Sequence, residues 1–141
     1  MNIDARVPPI DWVDAFSIGD ETIDAEHRSF IVAVNELVHL LERRAGRQAI
    51  MTHLAAMLHD AARHFASEEA ALSRYGVESL EAHQREHTRI LQAMRDLLGA
   101  GDSAADDVVA QHALSIRGQL LTHFLRVDLQ YKSHILHLRG R

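Results

Sequence analysis

The sequence predicts an all-α protein: an antiparallel up-down-up-down four-helix bundle with an N-terminal arm and a short C-terminal helical tail. Three observations lead there. Apolar residues recur at helical spacing through four long segments. No stretch alternates apolar and polar residues between turn signals in the manner of a strand. Helix breakers are sparse, with the two Pro at positions 8 and 9 and most of the seven Gly at a few points. Four such segments joined by short connections make a bundle.

The elements follow in order. Ile10, Trp12 and Phe16 make the arm apolar enough to lie on the bundle. Gly19-Asp20 reads as a turn, with Asp20 as the first helix's N-cap. Ile23, His27, Phe30, Ile31, Val34, Leu37, Val38 and Leu41 form the first stripe, ended by Arg43, Arg44 and Gly46. The second runs Ile50, Leu54, Met57, Leu58, Ala61, His64, Phe65, Glu68 and Leu72 to a stop at Gly76. The third runs Leu80, His83, His87, Ile90, Leu91, Met94 and Leu98, and residues 99–103 form a Gly-rich, acidic and mobile connection. The fourth runs Val109, His112, Ile116, Leu120, His123, Phe124 and Val127, followed by a tail with Tyr131, Ile135, Leu136 and Leu138. The chain reads as one domain, 1–141, with the arm at 1–19 and the helical bundle at 20–138.

Composition removes several function classes. Apolar residues at 47% and charged ones at 25% belong to a soluble globular protein. The absence of Cys excludes disulfides, Fe–S clusters, thiolate-bound haem and Cys-based zinc sites. A net charge of -5 without a basic block argues against a nucleic-acid partner. No clean apolar run is longer than the five residues of Phe30 to Val34, too short to span a bilayer. The N-terminus carries Asp4 and no apolar stretch of the secretory type, so the expected address is cytoplasmic.

The 11 His are the unusual figure. Polar residues on an apolar stripe face the bundle interior and have to be satisfied there. Here they are His27, His64, Glu68, His83, His87, His123 and, nearby, Asp128. His64 and Glu68 are one turn apart on one face, as are His83 and His87. His27 and His64 lie 19 and 18 residues from Gly46 on either side, so they meet at one level of the bundle. Five imidazoles and two carboxylates from four helices are a metal-site inventory. Seven ligands are too many for one zinc, and imidazole is the wrong donor for calcium or magnesium. The set suits two octahedral transition ions with carboxylate bridges and open positions, which favours iron.

The motifs that hold these residues stand in a fixed order: Ile10-Asp11-Trp12, Phe16-Ser17-Ile18-Gly19, Ile23-Asp24-Ala25-Glu26-His27-Arg28, His64-Phe65-Ala66-Ser67-Glu68, His83-Gln84-Arg85-Glu86-His87 and His123-Phe124-Leu125-Arg126-Val127-Asp128. In this the chain resembles the bacterial hemerythrins, a non-haem di-iron oxygen-binding family. The resemblance implies His83, His87 and His123 on one iron and His27 and His64 on the other. It also implies bridges from Glu68, Asp128 and an oxo or hydroxo group, with a vacant position for dioxygen on the two-histidine iron. Phe30, Ile31 and Phe124, each next to a ligand position, are the candidate apolar wall of that pocket. Family members often carry Trp four residues before the fifth His; here Gln119 stands there and would put a polar amide beside the pocket. Tyr131 fits the family pattern and is placed to donate a hydrogen bond near the site or to close the bundle end.

Three functions stay open on this reading. The first is reversible dioxygen binding for storage, transport or delivery, without enzyme activity. The second is sensing of oxygen, nitric oxide or redox state through a signalling partner. The third is peroxidase or oxidase activity at the same irons, and delivery would involve an oxygen-consuming partner enzyme. Carboxylate-rich di-iron oxygenase sites are built on Glu-x-x-His pairs, which the stripes lack, and this favours binding.

Two further expectations come from spacing. His123 and Asp128 are i,i+5, about 140° apart on a regular α-helix, so the fourth helix should carry a π-type turn or unwind between about residues 124 and 130. His53 and His112 each precede a site His by eleven residues, almost three turns, which points both inward about 16 Å away, where ordinary hydrogen bonding to water is the leading reading and a second metal site the alternative. His39, His59, His134 and His137 read as surface residues.

Overall fold

The computed structural model describes residues 7–101 and 103–140. Residues 1–6 of the arm and Asp102 of the third connection lie outside the described residues. Four long helices run α1 Glu21–Glu42, α2 Arg47–Arg74, α3 Leu80–Ala100 and α4 Asp106–Thr122, and a short α5 spans Lys132–Arg139. Each long helix packs on the next, and α4 closes against α1. This is the expected four-helix bundle, with no strand among the described residues.

The helix ends follow local chemistry. Asp20 caps α1 by accepting from the Ile23 amide at 3.0 Å, and the Tyr75 hydroxyl donates to its other oxygen. Gly19 holds φ +90, and an added Cβ would meet the Leu136 side chain at 2.7 Å, so both backbone and packing require glycine. Gly76 ends α2 at φ +71, with the Val77 amide returning to the Leu72 carbonyl. At the end of α1 the expectation shifts by two residues. Arg44, not Gly46, takes the left-handed conformation at φ 53, and Gly46 becomes the N-cap of α2.

The arm is tied down twice. Asn35 brackets Ile10 by accepting from its amide at 2.9 Å and donating to its carbonyl at 2.8 Å. Buried Asp24 accepts from the Ser17 hydroxyl and from the Ile18 amide. Trp12 lies edge-on to Phe16, with the Arg28 guanidinium 4.5 Å above its ring.

Two apolar clusters fill the bundle. The larger joins Val34, Leu37, Leu54, Met57, Phe65, Ile90, Met94, Ile116, Leu120 and Phe124. The smaller, at the other end, joins Ile18, Ile23, Ala71, Leu72, Tyr131 and Ile135. Along the chain, the seven polar residues stand near where members of the larger cluster give way to members of the smaller one.

α4 does not run on regularly to Asp128. A π-helical turn, His123–Val127, widens it, and a 3-10 turn, Asp128–Tyr131, tightens it again before α5. The Asp128 amide reaches back five residues to the His123 carbonyl, and the Lys132 amide only three, to Leu129. The local sequence has no Pro or Gly to demand this. The widened turn brings His123 and Asp128 to one side of the backbone, as their spacing requires.

Candidate metal centre

His27 on α1, His64 and Glu68 on α2, His83 and His87 on α3, and His123 and Asp128 on the widened turn all converge, each no more than 3% exposed. They form two groups that share Glu68: Glu68, His83, His87 and His123, and His27, His64, Glu68 and Asp128. In each, one ligand atom per residue lies within 4.8 Å of the others.

Glu68 divides its carboxylate between the groups. Oε1 lies 2.6 Å from His83 Nε2, 3.0 Å from His87 Nε2 and 3.6 Å from His123 Nε2. Oε2 lies 3.3 Å from the Nε2 atoms of both His27 and His64. Asp128 divides likewise, with Oδ1 3.1 Å from His83 and 3.2 Å from His123, and Oδ2 3.1 Å from His27. Every imidazole thus turns Nε2 inward.

Not every polar atom in this knot is satisfied by another. His64 Nε2 and both Asp128 oxygens are buried with no hydrogen bond of good geometry, although imidazole nitrogens stand close by. His87 and His123 oppose their Nε2 atoms at 2.9 Å. A buried carboxylate without a donor is expensive, and a cation among these lone pairs removes the expense. The donor set fits a metal.

Three imidazoles are oriented from behind. His64 Nδ1–H donates to Glu26 at 2.8 Å and His87 Nδ1–H to Glu69 at 2.7 Å. His83 Nδ1 meets the Tyr131 hydroxyl at 3.2 Å, which is 3.0 Å from Ser79 Oγ. A donor at Nδ1 fixes the tautomer with its lone pair at Nε2, as a metal ligand needs. Phe65 stacks on His87 at 3.9 Å. Phe124 lies 4.8 Å from His27 and 5.3 Å from His64, and Phe30 5.5 Å from His64, so both wall the His27–His64 side.

A model of the hemerythrin HHE cation binding domain matches residues 18–135. The chain belongs to this family. Among hemerythrin relatives, a bacteriohemerythrin of Methylococcus capsulatus strain Bath is 27% identical over 108 residues, 77% of this chain and 82% of the relative. A myohemerythrin of Riftia pachyptila is 24% identical over 127 residues, 90% and 94% of the two chains. A bacteriohemerythrin of Ralstonia nicotianae is 28% identical over 91 residues, 64% and 63% of the two chains.

Without metal, this hemerythrin-family core stores protons. Burial works against charge on His27 and His83, but the carboxylates of Asp128 and Glu68 outweigh it and raise both imidazoles from 6.5 to about 9. His64 is also raised, burial again being overcome, here by Glu26 and Glu68. Burial would lift Glu68, yet donors from His123, His27, His64 and His83 hold it well below its ordinary 4.5.

Several sequence expectations need correction or addition. Gln119 is half-buried, and its amide is held by Arg89 at 3.2 Å and Ser115 at 3.2 Å on the exposed flank of α4. Leu120 is the fully buried residue on that turn. Ile31 is buried one turn beyond His27. The second metal level at His53 and His112 fails. His112 is exposed because Ala113 takes the inward place, and His53, beside buried Leu54, bonds the Ala33 carbonyl at 2.8 Å. His134 bonds the Tyr75 carbonyl instead of being purely solvated. Spacing puts Phe65 on the second stripe without marking its contact with His87, and it does not mark Glu26 or Glu69 as site residues. The two carboxylates neighbour stripe residues, and only a cross-helix contact separates them from ordinary surface acids.

Proposed function

We propose that this chain binds dioxygen reversibly at a non-haem di-iron centre, for storage, transport or delivery. The observation that carries the reading is the division of both carboxylates between a three-histidine and a two-histidine group. His83, His87 and His123 would hold one iron and His27 and His64 the other, with Glu68 and Asp128 giving one oxygen to each. Two ferrous ions would supply the electrons by which dioxygen is taken up and returned. The unequal histidine counts would leave the His27–His64 iron the more open, and Phe30 and Phe124 pack against the rings on that side. Glu26, Glu69 and Tyr131 hold three imidazoles at the angle the metals need.

The test is the absorption spectrum of reduced, iron-loaded protein before and after air. Two irons per chain and a colour that appears with oxygen and fades on its removal are expected. Rapid, irreversible oxidation, or turnover of a reductant over many cycles, would overturn the binding reading in favour of catalysis.

The position of Gln119 gives a second expectation. Its amide is engaged by Arg89 and Ser115, so Gln119→Leu should leave the oxidation rate of the reduced protein unchanged. A several-fold change would place Gln119 in the pocket after all.

A further inference from the structure

We propose that the cleft between α1 and α2 is the port through which metal cations reach the buried cluster, an inference that rests on the cluster holding metal. A divalent ion cannot cross an apolar wall without a severe desolvation penalty, so a polar route has to exist. Along the bundle axis both directions are closed, by the large apolar cluster on one side and by Ile18, Ile23, Leu72, Tyr131 and Ile135 on the other. On the flank of α3 and α4, the Arg89 guanidinium lies across Glu86 and Gln119 and repels a cation.

The α2/α3 flank has a matching carboxylate, Glu69 on His87 Nδ1, but none of the three cavities reaches it, whereas the α1/α2 side has both a carboxylate and a cleft. A cleft of about 490 Å³ is lined by Glu26, Ser29, Phe30, Asp60, Arg63 and His64, among others. It opens onto a member of the cluster itself. The cavities at the Gly46 end and on the outer face of α3 touch none of the seven residues.

The lining forms a relay of donors from solvent inward. Asp60 and Arg63 are exposed at the mouth, where Asp60 and Glu26 together outnumber the single guanidinium. Glu26 is 31% exposed through its side chain and bonds His64 Nδ1 at 2.8 Å. On the far edge of the same ring, His64 Nε2 lies 3.3 Å from Glu68 Oε2. Carboxylate, imidazole and carboxylate therefore run in line from the cleft to the shared centre of both groups. A swing of the His64 ring hands a cation from Glu26 to Glu68 along the polar edge of a cleft whose other lining includes Phe30. Glu26 thus serves loading as well as orientation of His64.

The experiment measures loading, not oxygen binding. Chelator-stripped protein is mixed with Co2+ alone, without air, and the growth of visible absorption is followed by stopped flow; final content is measured by elemental analysis with Co2+ and separately with Fe2+. Ser29 and Asp60 are exposed, so substitutions there spare the core. Ser29→Trp, which fills the cleft, should slow loading by about tenfold or more and still reach two ions per chain. Asp60→Lys should slow it by about tenfold at low salt, and less at high salt, as lost steering does. Thr88→Trp, on the outer face of α3, should load at the wild-type rate. A wild-type rate in Ser29→Trp, a wild-type rate in Asp60→Lys at low salt, or equal slowing in Thr88→Trp would each overturn the port. A wild-type endpoint below two ions would instead overturn the metal reading beneath it, so the two failures are told apart.

Discussion

Glu68→Ala should leave the protein unable to hold either metal, because one side chain supplies an oxygen to both groups. Elemental analysis after loading should fall from two ions per chain to well under one. The metal-free variant should also be less stable, by about 3–5 kcal/mol, since imidazoles that share buried charge with Glu68 lose their partner. Glu68→Gln separates the two effects. It keeps the volume of the side chain and an oxygen acceptor but not the charge, so it should lose metal while melting closer to the parent. Two tightly held ions in Glu68→Ala would refute the shared-carboxylate arrangement.

Metal removal should reverse the pH response of stability. In the stripped protein His27 and His83 titrate near 9, against 6.5 in an unfolded chain. A group raised on folding gives its full stabilisation below 6.5 and loses it as pH climbs through about 9. Glu68, held low on folding, adds stability above 4.5 that disappears as the medium is acidified through its depressed value. The stripped protein should therefore melt highest between about pH 4.5 and 6.5 and lose several degrees by pH 9. Loaded protein should move oppositely over the alkaline range. Metals displace the stored protons, and binding tightens about tenfold per pH unit for each proton released. Parallel melting curves of stripped and reloaded protein from pH 5 to 9 check this; a flat curve for the stripped form from 6.5 to 9 would defeat it.

Most of the fold was legible because the helix stripes are continuous and the breakers sit at their ends. His27, His64, Glu68, His83, His87 and His123 stood out as polar residues where an apolar one belongs. Asp128 did not lie on the stripe of a regular helix, and its awkward angle to His123 was itself the signal for the π turn. The failures share another cause. On α4 the helical spacing runs through His112, whereas the inward residue is Ala113, a small side chain with little hydrophobic signal. Glu26 and Glu69 sit one step off their stripes, and their role exists only through partners 38 and 18 residues away in sequence. Arg44 takes the left-handed backbone that the sequence assigns to Gly46, which no propensity argument foresees.

The π turn and the 3-10 turn after it act together as a phase correction. A π turn advances about 82° per residue against 100° in an α-helix, so five residues, His123–Val127, fall behind by about 90°. The 3-10 turn advances about 120° per residue, and its four residues, Asp128–Tyr131, regain about 80°. The net rotation is close to nothing. Ile135 therefore leaves the distortion facing almost as an unbroken helix would have aimed it, towards Ile18 and Ile23. The twist defect is confined to the nine residues that need it. Asp128 is turned towards His123 while the end of the chain stays in register with the bundle.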